Sequence, residues 1–274
     1  MTDKPRRHSL PTAEQDVDTG RHAVTTEQTR SPSYRLAFAD DEFLLEDNLR
    51  GVRLMLEFLK PERRMRDAGI HSTVVIFGST RVRPADSPTA DSTTNCTLDP
   101  SYYDEARRLG TLIAKSTTDG DELDYVVMTG GGPGIMEAAN RGAADVDAPS
   151  VGLNIVLPRE QVPNRYITPE FTFQFHYFAM RKLHFLLRAR ALVFFPGGYG
   201  TLDELFEALT LLQTGRIDRI PVLLFGESFW RQIINFDALL EIGVIGTEDL
   251  EFIRFVESAD EALAIIKSTA EPPA

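Results

Sequence analysis

Short apolar runs without polar alternation recur along this chain, and most are followed by a stretch whose apolar residues repeat at helical spacing. TVVIF (73–77), YVVMT (125–129), VGLNIVL (151–157), FTFQF (171–175), ALVFF (191–195), IPVLLF (220–225) and FIRFV (252–256) predict strands. Runs of this kind, rich in Val, Ile and Phe, suit strands buried on both faces of a parallel sheet. Helices are predicted over YYDEARRLGTLIAKS, from Pro133, from about Tyr177 to Ala189, from Thr201, near Ser228–Leu240 and at the end of the chain. Strands joined by right-handed helical crossovers give an α/β fold: a single doubly wound Rossmann-like domain, its sheet mainly parallel and helices on both faces.

Ahead of the first strand, DDEFLLEDNLRGVRLMLEFLK places Phe43, Leu44, Leu49, Val52, Leu56 and Leu59 at helical spacing, which predicts a helix over 41–59 that stops before Pro61. The polar residues 1–35 lack the apolar core of a signal peptide and are expected to form a disordered arm, leaving 36–270 as the folded domain. The polar, proline-bearing segment 83–100 is expected to be a mobile loop.

Composition narrows the function. A formal net charge of −12 over 274 residues argues against a nucleic-acid partner, which calls for a basic stripe. Small anionic ligands remain open, because a local arginine outweighs distant charge at short range. The single cysteine, Cys96, excludes an intramolecular disulfide and a cysteine zinc cage, and fits a reducing cytoplasm. No apolar run approaches the roughly 20 residues of a membrane helix. No metal and no cofactor are expected.

In a doubly wound sheet, ligands sit beyond the carboxyl ends of the strands. There the chain reads FGSTR (77–81), TGGGPGIMEAAN (129–140) and FPGGYGTLDE (195–204). Glycines between strand and helix let backbone N–H groups approach a phosphate, with the positive end of the helix dipole behind them. The dinucleotide fingerprint fails, since Ile135 and Asp203 stand where its third glycine belongs, and no P-loop signature is present.

Two residue types near these loops carry candidate chemistry. Thr201-x-x-Glu204 matches a capping box, in which glutamate merely ties down its own helix end; the other reading is a catalytic carboxylate. On the preceding helix Arg181, His184 and Arg188 share a face at i, i+3, i+7. A solvated basic stripe accounts for Arg188 and Arg190. Arg181, just past the strand FTFQF, is placed to bind phosphate or ribose through its planar fork. His176 and His184 are assigned no role.

MRK (180–182) followed by PGGYGTLDE (196–204), with GGGPGIMEAANRGA (130–143) and FGST (77–80) upstream, resembles the LOG family of cytokinin riboside 5′-monophosphate phosphoribohydrolases, long mislabelled as lysine decarboxylases. The resemblance covers roughly 73–267. It implies hydrolysis of the N-glycosidic bond of a nucleoside 5′-monophosphate to free base and ribose 5-phosphate, with AMP as reasonable a substrate as a prenylated nucleotide. Carried over by motif, Arg181 and Glu204 form the catalytic pair. Gly197, Gly198, Gly200 and Thr201 hold the phosphate, and Ser79, Gly131 and Gly132 line the nucleotide site. A homodimer or larger homo-oligomer is also implied. With only five lysines and no motif for a pyridoxal pocket, decarboxylation is disfavoured. The competing reading is a non-catalytic nucleotide or molybdenum-cofactor carrier that uses the same loops without the pair.

Overall fold

The computed structural model describes residues 10–84, 96–116, 125–158 and 162–269. The first nine residues of the expected arm and positions 85–95 of the expected loop lie outside these. The chain divides into two compact units, 1–56 and 57–274.

In the first unit, α1 (Ala13–Arg21), α2 (Glu27–Arg30) and α3 (Asp41–Leu44) bury no residue. Local caps hold them: Thr12 with Gln15, Thr26 with Thr29, and Asp40 accepting from the Phe43 amide. The helix expected over 41–59 is broken after Leu44. Arg53 Nη1 donates to the Leu44 and Glu46 carbonyls at 2.7 and 2.6 Å, satisfying groups that a continuous helix would have used internally.

Helix α4 (Arg50–Asp67) then runs through Pro61 rather than ending before it. A proline there removes the N–H that would bond the carbonyl four residues back, on Glu57. That carbonyl instead accepts a hydrogen bond from His184 Nε2 at 3.2 Å, so a tertiary contact replaces the lost helical one.

The sheet has seven strands: β1 (Thr73–Phe77), β2 (Val126–Thr129), β3 (Ser150–Ile155), β4 (Thr172–Phe175), β5 (Ala189–Phe194), β6 (Val222–Phe225) and β7 (Ile253–Val256). Their order is β4-β3-β2-β1-β5-β6-β7 and every pairing is parallel. Alternate residues of the central strands feed opposite faces. Val75, Phe77, Leu192 and Phe194 pack with Phe185 of α7 (Phe178–Leu186) and with Leu205 and Ala208 of α8 (Tyr199–Gln213). Val74, Ile76 and Val193 pack with Tyr103 and Leu109 of α5 (Ser101–Lys115) and Ala138 of α6 (Ile135–Ala144). Burial on both faces is why these strands read as continuous apolar runs.

The helix expected near 228–240 is two helices, α9 (Glu227–Ile233) and α10 (Phe236–Ile242). Ile234 turns extended, and the Asn235 side chain accepts from the Ala238 amide at 3.0 Å, starting a new helix. Helix α11 (Thr247–Leu250) precedes β7, and α12 (Ala259–Ser268) packs beside α5. Among the described residues, no helix is long and apolar enough to cross a membrane.

The strand order reverses between β1 and β5, so the crevice opens beyond the carboxyl ends of these two strands. On one face of the sheet α5 and α6 lie close together: a Cβ at Gly142 would overlap the Arg107 carbonyl. Gly142→Ala is therefore expected to lower stability by about 1–3 kcal/mol by overpacking, read as a fall in the urea midpoint with the same slope.

Candidate functional site

A cavity of about 760 Å³ lies over the switch point. The segment after β1, Gly78–Arg81, and the loop between β5 and α8 line one side. Backbone bonds knit these loops together. The Ser79 amide donates to the Pro196 carbonyl at 3.0 Å, and the Ser79 carbonyl accepts from the Ile135 amide at 3.1 Å. Ser79 is thus a main-chain bridge between both glycine loops, and its hydroxyl oxygen accepts from the Arg81 amide at 3.1 Å.

Helix α8 begins at Tyr199, with Gly198 as an N-cap that supplies no side-chain bond. Its first ladder bond runs from the Leu202 amide to the Gly198 carbonyl at 3.0 Å. The amides of Tyr199, Gly200 and Thr201 precede that ladder and stand at the positive end of the helix. Nothing lies within 4 Å of where a Cβ would sit on Gly198 or Gly200, so the space beside the loop is open. Gly197 differs: a Cβ there would fall on the Thr201 side chain, which is buried beneath the loop.

The start at Tyr199 excludes the capping role for Glu204. Thr201 is the third helical residue and Glu204 the sixth, a full turn beyond where a capping box operates. Glu204 points into the cavity instead. Its Oε1 lies 3.7 Å from Arg181 Nη1, with the two side chains only 14% and 11% exposed. At that distance the charges attract without a direct hydrogen bond, leaving the carboxylate free to bond something else.

Arg181 is held from several directions. Its Nε donates to the Leu153 carbonyl at 2.7 Å, its Nη2 to the Gly130 carbonyl at 3.4 Å, and its guanidinium lies 5.1 Å from the Phe185 ring centre. A Cβ at Gly130 would fall on this guanidinium, so that glycine makes room for the arginine. Burial pulls the Arg181 pKa down and Glu204 opposes it; a guanidinium remains charged nonetheless. Burial pushes Glu204 from its ordinary 4.5 up to about 7, against the pull of Arg181. Asp203 and Glu207 raise it further and Lys182 lowers it.

Lys182 forms a second rung beside the first. Its Nζ lies 3.0 Å from Asp203 and 3.0 Å from Glu207, so α7 and α8 are joined by two adjacent charge contacts. Arg188 is not solvated: it makes a two-pronged pair with Glu62, both bonds 2.7 Å, and donates to the Ile70 carbonyl at 3.1 Å. His184 is fully buried with its Nδ1 unpartnered, and desolvation lowers its pKa, keeping the ring neutral.

The cavity brings together Ser79, Gly132, Gly197, Gly198, Gly200, Thr201, Arg181 and Glu204. Gly131 does not line it. With φ at +74°, its amide donates to Thr129 Oγ1 at 3.0 Å, and its carbonyl accepts from the Asn164 amide and from Asn154 Nδ2. Its place is behind the loop, shaping the turn. Met136, Ile155, Leu157 and Phe178 supply an apolar wall that sequence reading did not pick out. Nothing in the pattern of these residues separates a cavity wall from ordinary core. Among the described residues, no group of three or more His, Cys, Asp or Glu could hold a metal ion.

The family described as "possible lysine decarboxylase" matches residues 136–266. The chain is 31% identical over 165 residues to cytokinin riboside 5′-monophosphate phosphoribohydrolase LOG1 of Arabidopsis thaliana, covering 59% of this chain and 73% of that protein. It is 29% identical over 174 residues to LOG3 of the same plant, covering 62% and 76%. Among solved structures, the molybdenum cofactor binding protein from Rippkaea orientalis aligns with a TM-score of 0.49 and 19% identity, covering 74% of this chain and 97% of that one.

The raised Glu204 pKa has a signed consequence for stability. The folded protein holds this proton more tightly than the unfolded chain does, so the stabilisation is complete below 4.5 and disappears as pH rises to about 7. Urea unfolding between pH 5 and 8 is expected to show wild type losing on the order of 3 kcal/mol relative to Glu204→Gln; parallel pH curves for the two proteins would contradict it.

Proposed function

This chain belongs to the LOG, or lysine-decarboxylase-like, family, and we propose that it hydrolyses the N-glycosidic bond of a nucleoside 5′-monophosphate. The products are the free base and ribose 5-phosphate. The observation that carries this reading is the direction of Glu204, which lies beside Arg181 in the cavity lining instead of capping its own helix.

In this reading the phosphate sits on the unladdered amides of Tyr199, Gly200 and Thr201, in the open space beside Gly198 and Gly200. The ribose then lies over the first turn of α8, and the base against the apolar wall of Met136, Ile155, Leu157 and Phe178. Departure of the base leaves positive charge at the anomeric carbon, the same demand that glycosidases meet with carboxylates. Glu204, ionised, stabilises that charge and orients water for attack. Water supplies the hydroxyl added at the anomeric carbon, and the base leaves with the proton. Arg181, fixed by the Leu153 and Gly130 carbonyls, holds the phosphoribosyl group and the carboxylate in register.

The substrate class is purine nucleoside monophosphates, AMP or a prenylated relative, as the names of the LOG relatives suggest. Decarboxylation through a lysine Schiff base finds no support: Lys182, the lysine beside the site, is held between two carboxylates. Self-association is part of the proposal. Leu59, Leu183 and Leu187 are exposed apolar residues that a second copy would cover.

Incubation with AMP and with prenylated AMP, followed by chromatography for free base, tests the activity. Glu204→Gln should lose about 10²- to 10⁴-fold in kcat while binding nucleotide. Tight binding without release from either nucleotide points instead to a nucleotide or molybdenum-cofactor carrier. Because the ionised carboxylate acts, kcat/KM should climb with pH and level off above about 7; a profile flat from pH 5 to 8 argues against Glu204. Light scattering should give at least twice the chain mass of 30.6 kDa, and a monomer rejects the assembly.

A further inference from the structure

Helix α7, which carries Arg181, does not cap its own start. The corner from β4 is two residues long, and the Tyr177 side chain at the N-cap position makes no capping bond. The two amides of that corner are instead taken up by α4, ahead of the sheet. Glu57 Oε1 accepts from the His176 amide at 2.7 Å, and Oε2 from the Tyr177 amide at 3.1 Å.

Glu57 holds the same helix a second time. Its carbonyl, left without a helical donor by Pro61, accepts from His184 Nε2 at 3.2 Å. The Phe58 ring stacks on the His184 ring, centres 5.6 Å apart, and Glu62 takes the two-pronged pair with Arg188. Arg181 stands between the two Glu57 contacts. Its amide makes the first ladder bond of α7, to the Tyr177 carbonyl at 3.2 Å.

From this geometry we infer that Glu57 is a positioning residue: by fixing where α7 starts beyond β4, it sets the separation of Arg181 from Glu204. Its consequence for catalysis rests on the hydrolase reading above; its effect on the pair does not.

The charges around Glu204 make the effect readable. Both cations that face it, Arg181 and Lys182, ride on α7, while the acids Asp203 and Glu207 share α8 with it. A shift of α7 therefore withdraws both positive charges and leaves both negative ones in place. A cap that only held a helix end would lower the melting temperature and leave the Glu204 titration where it was.

The experiment follows the Glu204 carboxyl by ¹³C NMR in the full chain without nucleotide, with the resonance assigned through Glu204→Gln. In Glu57→Ala its midpoint should move up by about 0.5–1 pH unit as the cations recede. In Glu57→Gln, whose amide oxygen replaces one of two acceptors, the shift should be smaller. With AMP, Glu57→Ala should lose about tenfold in kcat with a smaller rise in KM, because Arg181 moves with α7 while the phosphate loop belongs to α8. The acid limb of its pH profile should move together with the NMR midpoint. A folded Glu57→Ala protein that titrates at the wild-type midpoint overturns the inference. Should that variant fail to fold, Glu57→Gln decides by the same comparison. If wild type releases no base, the hydrolase reading falls while the titration still judges Glu57.

Discussion

A guanidinium and a carboxylate, both withdrawn from water at the carboxyl edge of one sheet, set the terms for the rest of the molecule. Burial disfavours each charge, and their attraction at 3.7 Å compensates only in part, since no direct hydrogen bond joins them. The remaining compensation is built around them. Two backbone carbonyls satisfy Arg181, a parallel ion-pair rung at Lys182 ties α7 to α8, and the helix before the sheet holds the start of α7. Carboxyl groups whose pKa burial pushes toward neutrality, as at Glu204, cluster at functional sites.

The glycines around this pair serve distinct physical ends. Gly130 and Gly197 exist in close quarters with Arg181 and Thr201, and Gly142 lets α5 and α6 approach. Gly131 provides a left-handed turn. Only Gly198 and Gly200 face open space, and they flank amides that have no helical partner. A glycine-rich string in sequence merges these ends; the anion-binding reading belongs to the second loop, where the main chain is bare.

Strand content was legible because burial on both faces makes each strand a contiguous apolar word, readable within five residues. TVVIF is a strand in sequence and in space. Helix limits were less legible where a distant group intervenes. Pro61 reads as a stop, yet α4 continues because His184, more than a hundred residues on, takes up the carbonyl that proline frees. Arg188 reads as a solvated stripe, yet Glu62 and Ile70 bury it. The 228–240 segment reads as one helix because the capping of α10 by Asn235 interrupts no apolar spacing.

By itself, the order of residues determined the alternation of strands and helices, the parallel sheet, the family, and the presence of Arg181 and Glu204 in recognisable strings. These depend on neighbours in sequence, where periodicity and motif act. Only the tertiary structure decided where Glu204 points. By spacing alone a threonine and a glutamate three apart fit a cap slightly better than a catalyst, and the start of α8 at Tyr199 removes the cap. The carboxyl's proton affinity was likewise beyond reach of the string, because desolvation sums over every group that excludes water, and those groups come from all along the chain.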